Sequence, residues 1–408
     1  MTKIPENKTP LFDNIRYCTR CCIPETQEGV VFDELGICRA CQSSEQKIHI
    51  DWVKREKELR RILEEAKAKA DGNYDCVLPL SGGKDSMFQA YVLTQVYGMK
   101  PLGVTFSHNW YSETGWYNLQ NLLDKFNIDH VQFQPNRSLV NRIARKSIEV
   151  IGDSCWLCHS GIPSFVFQMA IAYKIPLMVW GESAADVSGK DSYLNQQLKF
   201  DREYFLKVSG KVSWEKLVCD YLTEKDMRPF VLPSVEEIEA VGVTGIHLGN
   251  YLFWDDERQT EFVRDHWDWK ETEMEGTYKG YKSAECIMSG MHDFTCYIKR
   301  GYGRATWQAS VDVRNGLLSQ DEGFELIRDH DPEIPEALDY YLKSTGLSEE
   351  EFYSIMNSQK HQKLKTTDIP IKKKCHKNAE VIVPFIEQFL AKHRSRKDPR
   401  EKTGVDDI

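Results

Sequence analysis

The chain has 408 residues, 41% of them hydrophobic and 11% aromatic, enough for one large or two moderate folded domains. No apolar run reaches the eighteen residues of a membrane span, and the opening MTKIPENKTPLFDN lacks the apolar core of a signal peptide, so a cytoplasmic enzyme is expected. The formal charge of −9 argues against a broad nucleic-acid footprint. The twelve cysteines are read as metal ligands, catalytic groups or core filler rather than disulfides.

In chain order, residues 17–42 hold five of the twelve cysteines. Residues 50–70 then read as a charged amphipathic helix with Trp52, Leu59, Ile62 and Leu63 on its apolar face, stopped at Asp71-Gly72. From residue 74 short apolar runs alternate with helical patterns. YDCVLPL (74–80) is a buried strand before a helix over 84–98. PLGVTFS (101–107) is a strand before a helix over 112–126. Residues 128–133 form a strand before a helix over 137–151, and a helix over 161–174 leads to a fourth strand ending at 180. This rhythm predicts an α/β fold, a parallel sheet with helices on both faces, whose ligands bind at the carboxyl ends of the strands. Residues 185–250 lose the rhythm and read as an inserted helical or irregular region. From 254 onward the chain reads as mainly helical, with capping boxes at Ser319 and Ser348. The expected division is a zinc ribbon over 1–48, a ligand-binding α/β domain over 49–252, a mainly helical region over 253–394 completing the site, and a disordered tail over 395–408.

The first strand ends in SGGKDS. A Walker A loop has four residues between Gly and Gly-Lys-Ser/Thr, whereas here Gly82 and Gly83 are adjacent and Asp85 follows Lys84. The loop is shorter but still suits a phosphate. The glycines admit positive φ and close approach of backbone N–H groups. Ser81 and Ser86 add hydroxyls, Lys84 adds charge, and the next helix points its positive end at the site. At the same sheet edge lie Ser107, His108 and Asn109 after the second strand, and Gly181 and Glu182 after the fourth. His108 reads equally as a buried polar residue, and Glu182 as the neighbour of a helix cap.

Cys18, Cys21, Cys38 and Cys41 form C-x2-C, sixteen residues, C-x2-C, the pattern of a closed four-thiolate structural zinc site, with Cys22 a bystander or, in a shifted knuckle, the replacement for Cys21. A second pair, Cys155 and Cys158, leaves a tetrahedral ion incomplete. Cys286, Cys219, Cys296 or His159 are the candidate remote ligands, with Cys286 named first. The alternative is two buried cysteines at a helix start.

In its strand-to-helix setting the hexapeptide resembles the PP-loop of the N-type ATP pyrophosphatases. That resemblance implies cleavage of ATP between the α- and β-phosphates. Three further stretches, YCTRCCIPETQEGVVFDELGICRACQ, CWLCHSGIPSFVFQMAIAYKIPLMVWGES and HDFTCYIKRGYGRATWQASVDVRNGLLSQDE, extend the resemblance from about residue 17 to about 360. They resemble the N-acetyl sugar amidotransferases of surface-polysaccharide and nonulosonic acid pathways. The resemblance implies conversion of the acetamido group of a nucleotide-linked or nonulosonic sugar to an acetamidino group, using ATP and Mg2+. Lys84, Asp85, Glu182, Lys299 and Arg304 would serve catalysis, Lys299, Arg300 and Arg304 as a phosphate clamp, with Arg314 a further candidate. Neither a Gly-x-Cys-x-Gly elbow nor an N-terminal cysteine nucleophile is present, so ammonia is expected from a partner glutaminase of the histidine-biosynthesis type with its ammonia-delivering subunit. The rival reading is a PP-loop tRNA thiolase with an iron–sulfur cluster on Cys155 and Cys158. The basic runs at 372–377 and 392–397 favour it, and the acidic net charge opposes it.

Overall fold

The computed structural model describes residues 11–183 and 212–373, together with Ala185, Tyr193, Arg202 and Glu203. The expected tail over 395–408, the basic run at 392–397 and the end of the helical region lie outside the described residues, as does much of 186–211.

The centre is a parallel sheet of β1 (Cys76–Pro79), β2 (Pro101–Phe106), β3 (His130–Phe133), β4 (Leu177–Trp180) and β5 (Thr244–His247), in the order β3-β2-β1-β4-β5. β1 and β2 run in register from Cys76 opposite Pro101 to Pro79 opposite Val104. Along β1, Val77 enters one apolar cluster while Cys76 and Leu78 enter the other. Both faces are therefore covered, which is why the strands read as continuous apolar runs. α1 (Arg39–Lys47) buries Ala40 and Cys41, and α2 (Trp52–Ala70) buries Leu59, Ile62, Leu63 and Ala66 and stops at Asp71 in the left-handed region. α3 (Lys84–Tyr91) passes into a π-turn over Val92–Val96. α4 (Glu113–Phe126), α5 (Arg137–Ile151) and α6 (Trp156–Ala172) follow the expected alternation. Ser319 and Ser348 make the expected capping boxes.

One expectation needs correction. The region read as irregular contains β5, whose four residues pair with β4 from Leu177 opposite Thr244 to Trp180 opposite His247. A short strand holding a glycine and a polar end carries too little local pattern, and its neighbour in the sheet supplies the missing stabilisation. Among the described residues no single helix is long and apolar enough to cross a membrane.

Residues up to Ile371 form one compact unit. The region after 254 is laced onto the sheet by the segment Ser283–Ile287. Ser112 N donates to the Glu285 carbonyl at 3.0 Å and Ile287 N to the Trp110 carbonyl at 3.0 Å. This segment passes so close to α4 that a Cβ on Gly115 would stand 2.2 Å from Glu285 Cα. Gly115→Ala is therefore expected to push backbone against backbone and cost about 1–3 kcal/mol. Urea denaturation checks this; an unchanged midpoint would show that the segment is not pinned there.

Candidate active site

Going from β1 to its neighbours the chain leaves in opposite directions, toward β2 on one side and β4 on the other. Such a reversal opens a crevice at the carboxyl ends of the two central strands. Ser81–Ser86 follow β1 and Gly181–Glu182 follow β4, so the topology brings them together. Gly82 has φ +87°, and a Cβ there would stand 2.3 Å from the Gly115 carbonyl oxygen, so only glycine fits. Trp269 Nε1 donates to the Gly82 carbonyl at 3.0 Å. Ser81 N donates to Ser86 Oγ at 3.0 Å and Gly83 N to Ser81 Oγ at 3.2 Å. The loop is thus a closed turn opening α3, whose amino end faces the crevice.

Lys84 is 2% exposed. Its ammonium bonds Asp85 Oδ1 at 2.6 Å and Asp256 Oδ1 at 2.8 Å. Lys282 bonds Glu182 Oε1 at 3.2 Å and also Asp256 Oδ2. Asp256 opens the helix Asp256–Trp267, where the positive helix end favours a carboxylate. Burial works against its charge, but Lys282 and Lys84 hold its carboxyl well below the ordinary range. Asp85, Glu182 and Asp256 bring three carboxylate oxygens within 4.8 Å of one another. An all-oxygen set of this kind suits a Mg2+ ion bound jointly with phosphate. Beside them Glu285 Oε2 is buried without a hydrogen-bond partner, 3.2 Å from the position a Cβ on Gly83 would take. A buried orphan acceptor at the phosphate loop fits a site completed by a ligand.

Around this centre lies a cleft of about 1130 Å³. The loop and α3 form its floor, Asp255–Glu257 one side, and Tyr281, Lys282, Glu285, Arg304 and Arg314 another. The third side is the cysteine-rich segment, through Arg20, Cys41 and Lys47. Cys18 Sγ is 3.8 Å from Cys41 Sγ, and Cys21 Sγ is 3.7 Å from Cys38 Sγ. Four thiolates at about 2.3 Å from a tetrahedral zinc lie about 3.8 Å apart, so the cage matches a metal such as zinc. Cys22 Sγ turns away to the Gln320 carbonyl. The cage is tied to the cleft wall: Gln320 Nε2 donates to the carbonyls of Cys18 and Cys21 at 2.9 and 2.8 Å, and Arg314 Nη1 reaches Cys21 Sγ at 3.9 Å.

The structure does not gather every expected residue here. Arg304 lines the cleft and donates through Nε to Asp293 Oδ2 at 2.7 Å. Lys299 does not line it; its ammonium bonds the Ile151 carbonyl at the end of α5. Arg300 pairs with Glu28 at 3.1 Å. Between Lys299 and Arg304, Gly301 at φ +76° ends one helix before the next begins and sends the two cations apart. Ser107 is buried with its Oγ accepting from Asn109 N at 3.2 Å, and His108 Nδ1 accepts from Trp110 N at 3.0 Å. Burial lowers the His108 pKa to about 4, the behaviour of a neutral core histidine. Gly181 sits under Glu182 against Gln89. Of the four remote ligands considered for Cys155 and Cys158, Cys286 is the cysteine close enough to both to add to the rise that burial gives their pKa values. The three sulfurs nevertheless do not form a group within 4.8 Å among the described residues. Asp256, Lys282 and Glu285 were not legible as site residues; the one signal was the run YKSAEC, with charges three apart beside a cysteine.

Residues 275–377 match the family described as LPS biosynthesis protein WbpG-like, C-terminal domain. No curated protein matches the chain. A solved structure to which it is similar is NMN synthetase from Francisella tularensis, at 11% identity and a TM-score of 0.24, covering 55% of this chain and 98% of that one. Fold and loop define an α/β protein with a glycine-rich, phosphate-type loop at the carboxyl edge of its sheet, and residues 275–377 are similar to the WbpG-like carboxy-terminal domain.

Two expectations follow. Cys18→Ser is expected to lose tightly bound metal and destabilise the wall it holds, because metal binding and local folding are linked. Metal analysis of the purified variant checks this, and a full equivalent retained would refute the cage. Second, burial first, then Asp85 and Asp256, raise Glu182 from 4.5 to about 7 against the pull of Lys282 and Lys84, although 31% of the side chain faces the cleft. Folding therefore takes up a proton between about pH 4.5 and 7, and this group's contribution to stability falls as the pH rises through that window. Glu182→Gln should flatten the fall, read as urea midpoints from pH 5 to 8.

Proposed function

We propose that the protein is an ATP-dependent amidotransferase acting on an acetamido sugar. One observation carries the reading: the segment matching the WbpG-like LPS biosynthesis domain supplies the wall that faces the phosphate loop, through Tyr281, Lys282, Glu285, Arg304 and Arg314. A cleft of about 1130 Å³ exceeds the roughly 300–1,000 Å³ usual for one small ligand, so a nucleotide and a second substrate fit together. This supports an enzyme of polysaccharide biosynthesis that joins ATP to a sugar.

An amide carbonyl carbon resists direct attack by ammonia because its oxygen leaves poorly. On the proposed route the amide oxygen bonds to the α-phosphorus, the α–β bridging bond breaks and pyrophosphate departs. The amide proton is lost, giving an adenylated imidate. Ammonia then adds at carbon and AMP leaves, yielding the amidine. The loop N–H groups and Lys84 hold the departing pyrophosphate, where charge grows most. Asp85, Glu182 and Asp256 would hold Mg2+, which screens the polyphosphate. Arg304, fixed by Asp293, faces the sugar or its phosphate. Glu285, whose pKa burial raises, would accept the proton lost on ammonia addition. On this reading the nitrogen comes from a separate glutaminase.

Incubation with a diacetamido nucleotide sugar, ATP and ammonium at alkaline pH is expected to give AMP and pyrophosphate and a product about one mass unit lighter. Lys84→Ala and Asp85→Ala should each lower turnover at least about 100-fold. Glutamine should fail as donor until a second protein is added. ADP and phosphate as products, or efficient glutamine use by the single chain, would defeat the reading.

A further inference from the structure

Behind the Arg304 wall is a second group of ligating side chains that the proposed reaction does not use. Asp153 precedes α6, His159 lies in its first turns, and His292 lies in the first turn of the helix Ser289–Arg300. One ligand atom from each falls within 4.8 Å of the other two. The Asp153 carboxylate is 3.6 Å from His159 Nδ1, and the two imidazole rings meet edge to face with centroids 5.4 Å apart.

We infer that Asp153, His159 and His292 bind a divalent transition metal of the zinc class. Three features carry this. The ligand set is two imidazoles and one carboxylate, which favours zinc over magnesium or calcium and leaves one coordination position open. Nitrogen and oxygen ligands about 2.0–2.1 Å from a tetrahedral zinc lie about 3.3 Å apart, so small side-chain rotations bring the observed spacing to that of a bound site. The supports behind the ligands are already built. His292 Nδ1 is 3.0 Å from Asp293 Oδ1, which leaves Nε2 to ligate, and Asp153 Oδ1 accepts from Cys155 N at 2.8 Å while Oδ2 faces His159. A carboxylate behind a ligating histidine is the usual outer partner of a metal site. The carboxylates Asp153 and Asp293 also offset the positive ends of the two helices that meet here.

The site is linked to the cleft by one chain of contacts. Asp293 bonds His292 through Oδ1 and Arg304 Nε through Oδ2, so a metal on His292 fixes the carboxylate that aims Arg304. Cys155, Cys158 and Cys286 lie beside this group, and the alternative in which sulfur binds the ion is distinguished directly below. The inference does not depend on which substrate the cleft takes.

The experiment is zinc loading of the full chain, desalting and metal analysis. The native protein is expected to hold about two zinc per chain, one in the four-cysteine cage and one here. His159→Ala and His292→Ala should each fall to about one. His159→Gln should do the same with circular dichroism unchanged, and the double change Cys155→Ser/Cys158→Ser should keep two. Asp293→Asn should weaken the second site at least about tenfold. With cobalt in place of zinc, the second equivalent bound by the native chain should show ligand-field bands without added thiolate charge transfer, a readout that needs no variant. A native chain that never exceeds one equivalent, full retention in His292→Ala, or loss of the second ion in the cysteine variant would overturn the inference.

Discussion

The structure hangs on two lysines sharing one aspartate. Asp256 accepts from Lys84 and from Lys282, with Asp85 and Glu182 completing the set. Lys84 and Asp256 are 172 residues apart. A buried ammonium without partners would be prohibitively costly, so the fold must bring carboxylates to Lys84. Its partners come from α3 itself and from the start of the helix at 256, and Glu182 at the end of β4 joins them through Lys282. Lys282 then draws in the segment that carries Glu285 and Cys286. The cleft exists because these four stretches are obliged to meet.

This has a cost that suggests function. A buried charge network stabilises less than an apolar core of the same volume, and here it sits under a phosphate-type loop with an orphan carboxylate oxygen beside it. Groups arranged so tightly around an anion-binding turn are suited to chemistry in which negative charge moves from one phosphate oxygen to another. The same arrangement explains the raised Glu182, which is held beside Asp85 and Asp256.

The four-cysteine cage acts on the cleft as well as on its own segment. Through Gln320 and Arg314 it fastens the carboxy-terminal helices, and through Arg20 and Lys47 it contributes wall. A short segment with a small apolar cluster would gain its rigidity from metal coordination by the four cysteines. A metal held there would fix a side of the site far from the ion's own chemistry.

The sequence alone determined what local interactions decide. Glycine pairs after a strand, cysteine pairs separated by two residues, capping serines and alternating apolar runs each act over a few residues, so SGGKDS, the cage and four of the five strands could be read directly. Tertiary structure alone decided β5, which needs β4 beside it to be a strand. It also decided the roles of Asp256, Lys282 and Glu285, which in sequence look like ordinary solvated charges, and the meeting of His159 with His292. Lys299 and Arg304 show the limit most plainly. They belong to one basic run, yet Gly301 turns one to a helix end and leaves the other facing the cleft. A charge's partner is set by where the chain goes over distances of a hundred residues or more, and no local pattern encodes that path.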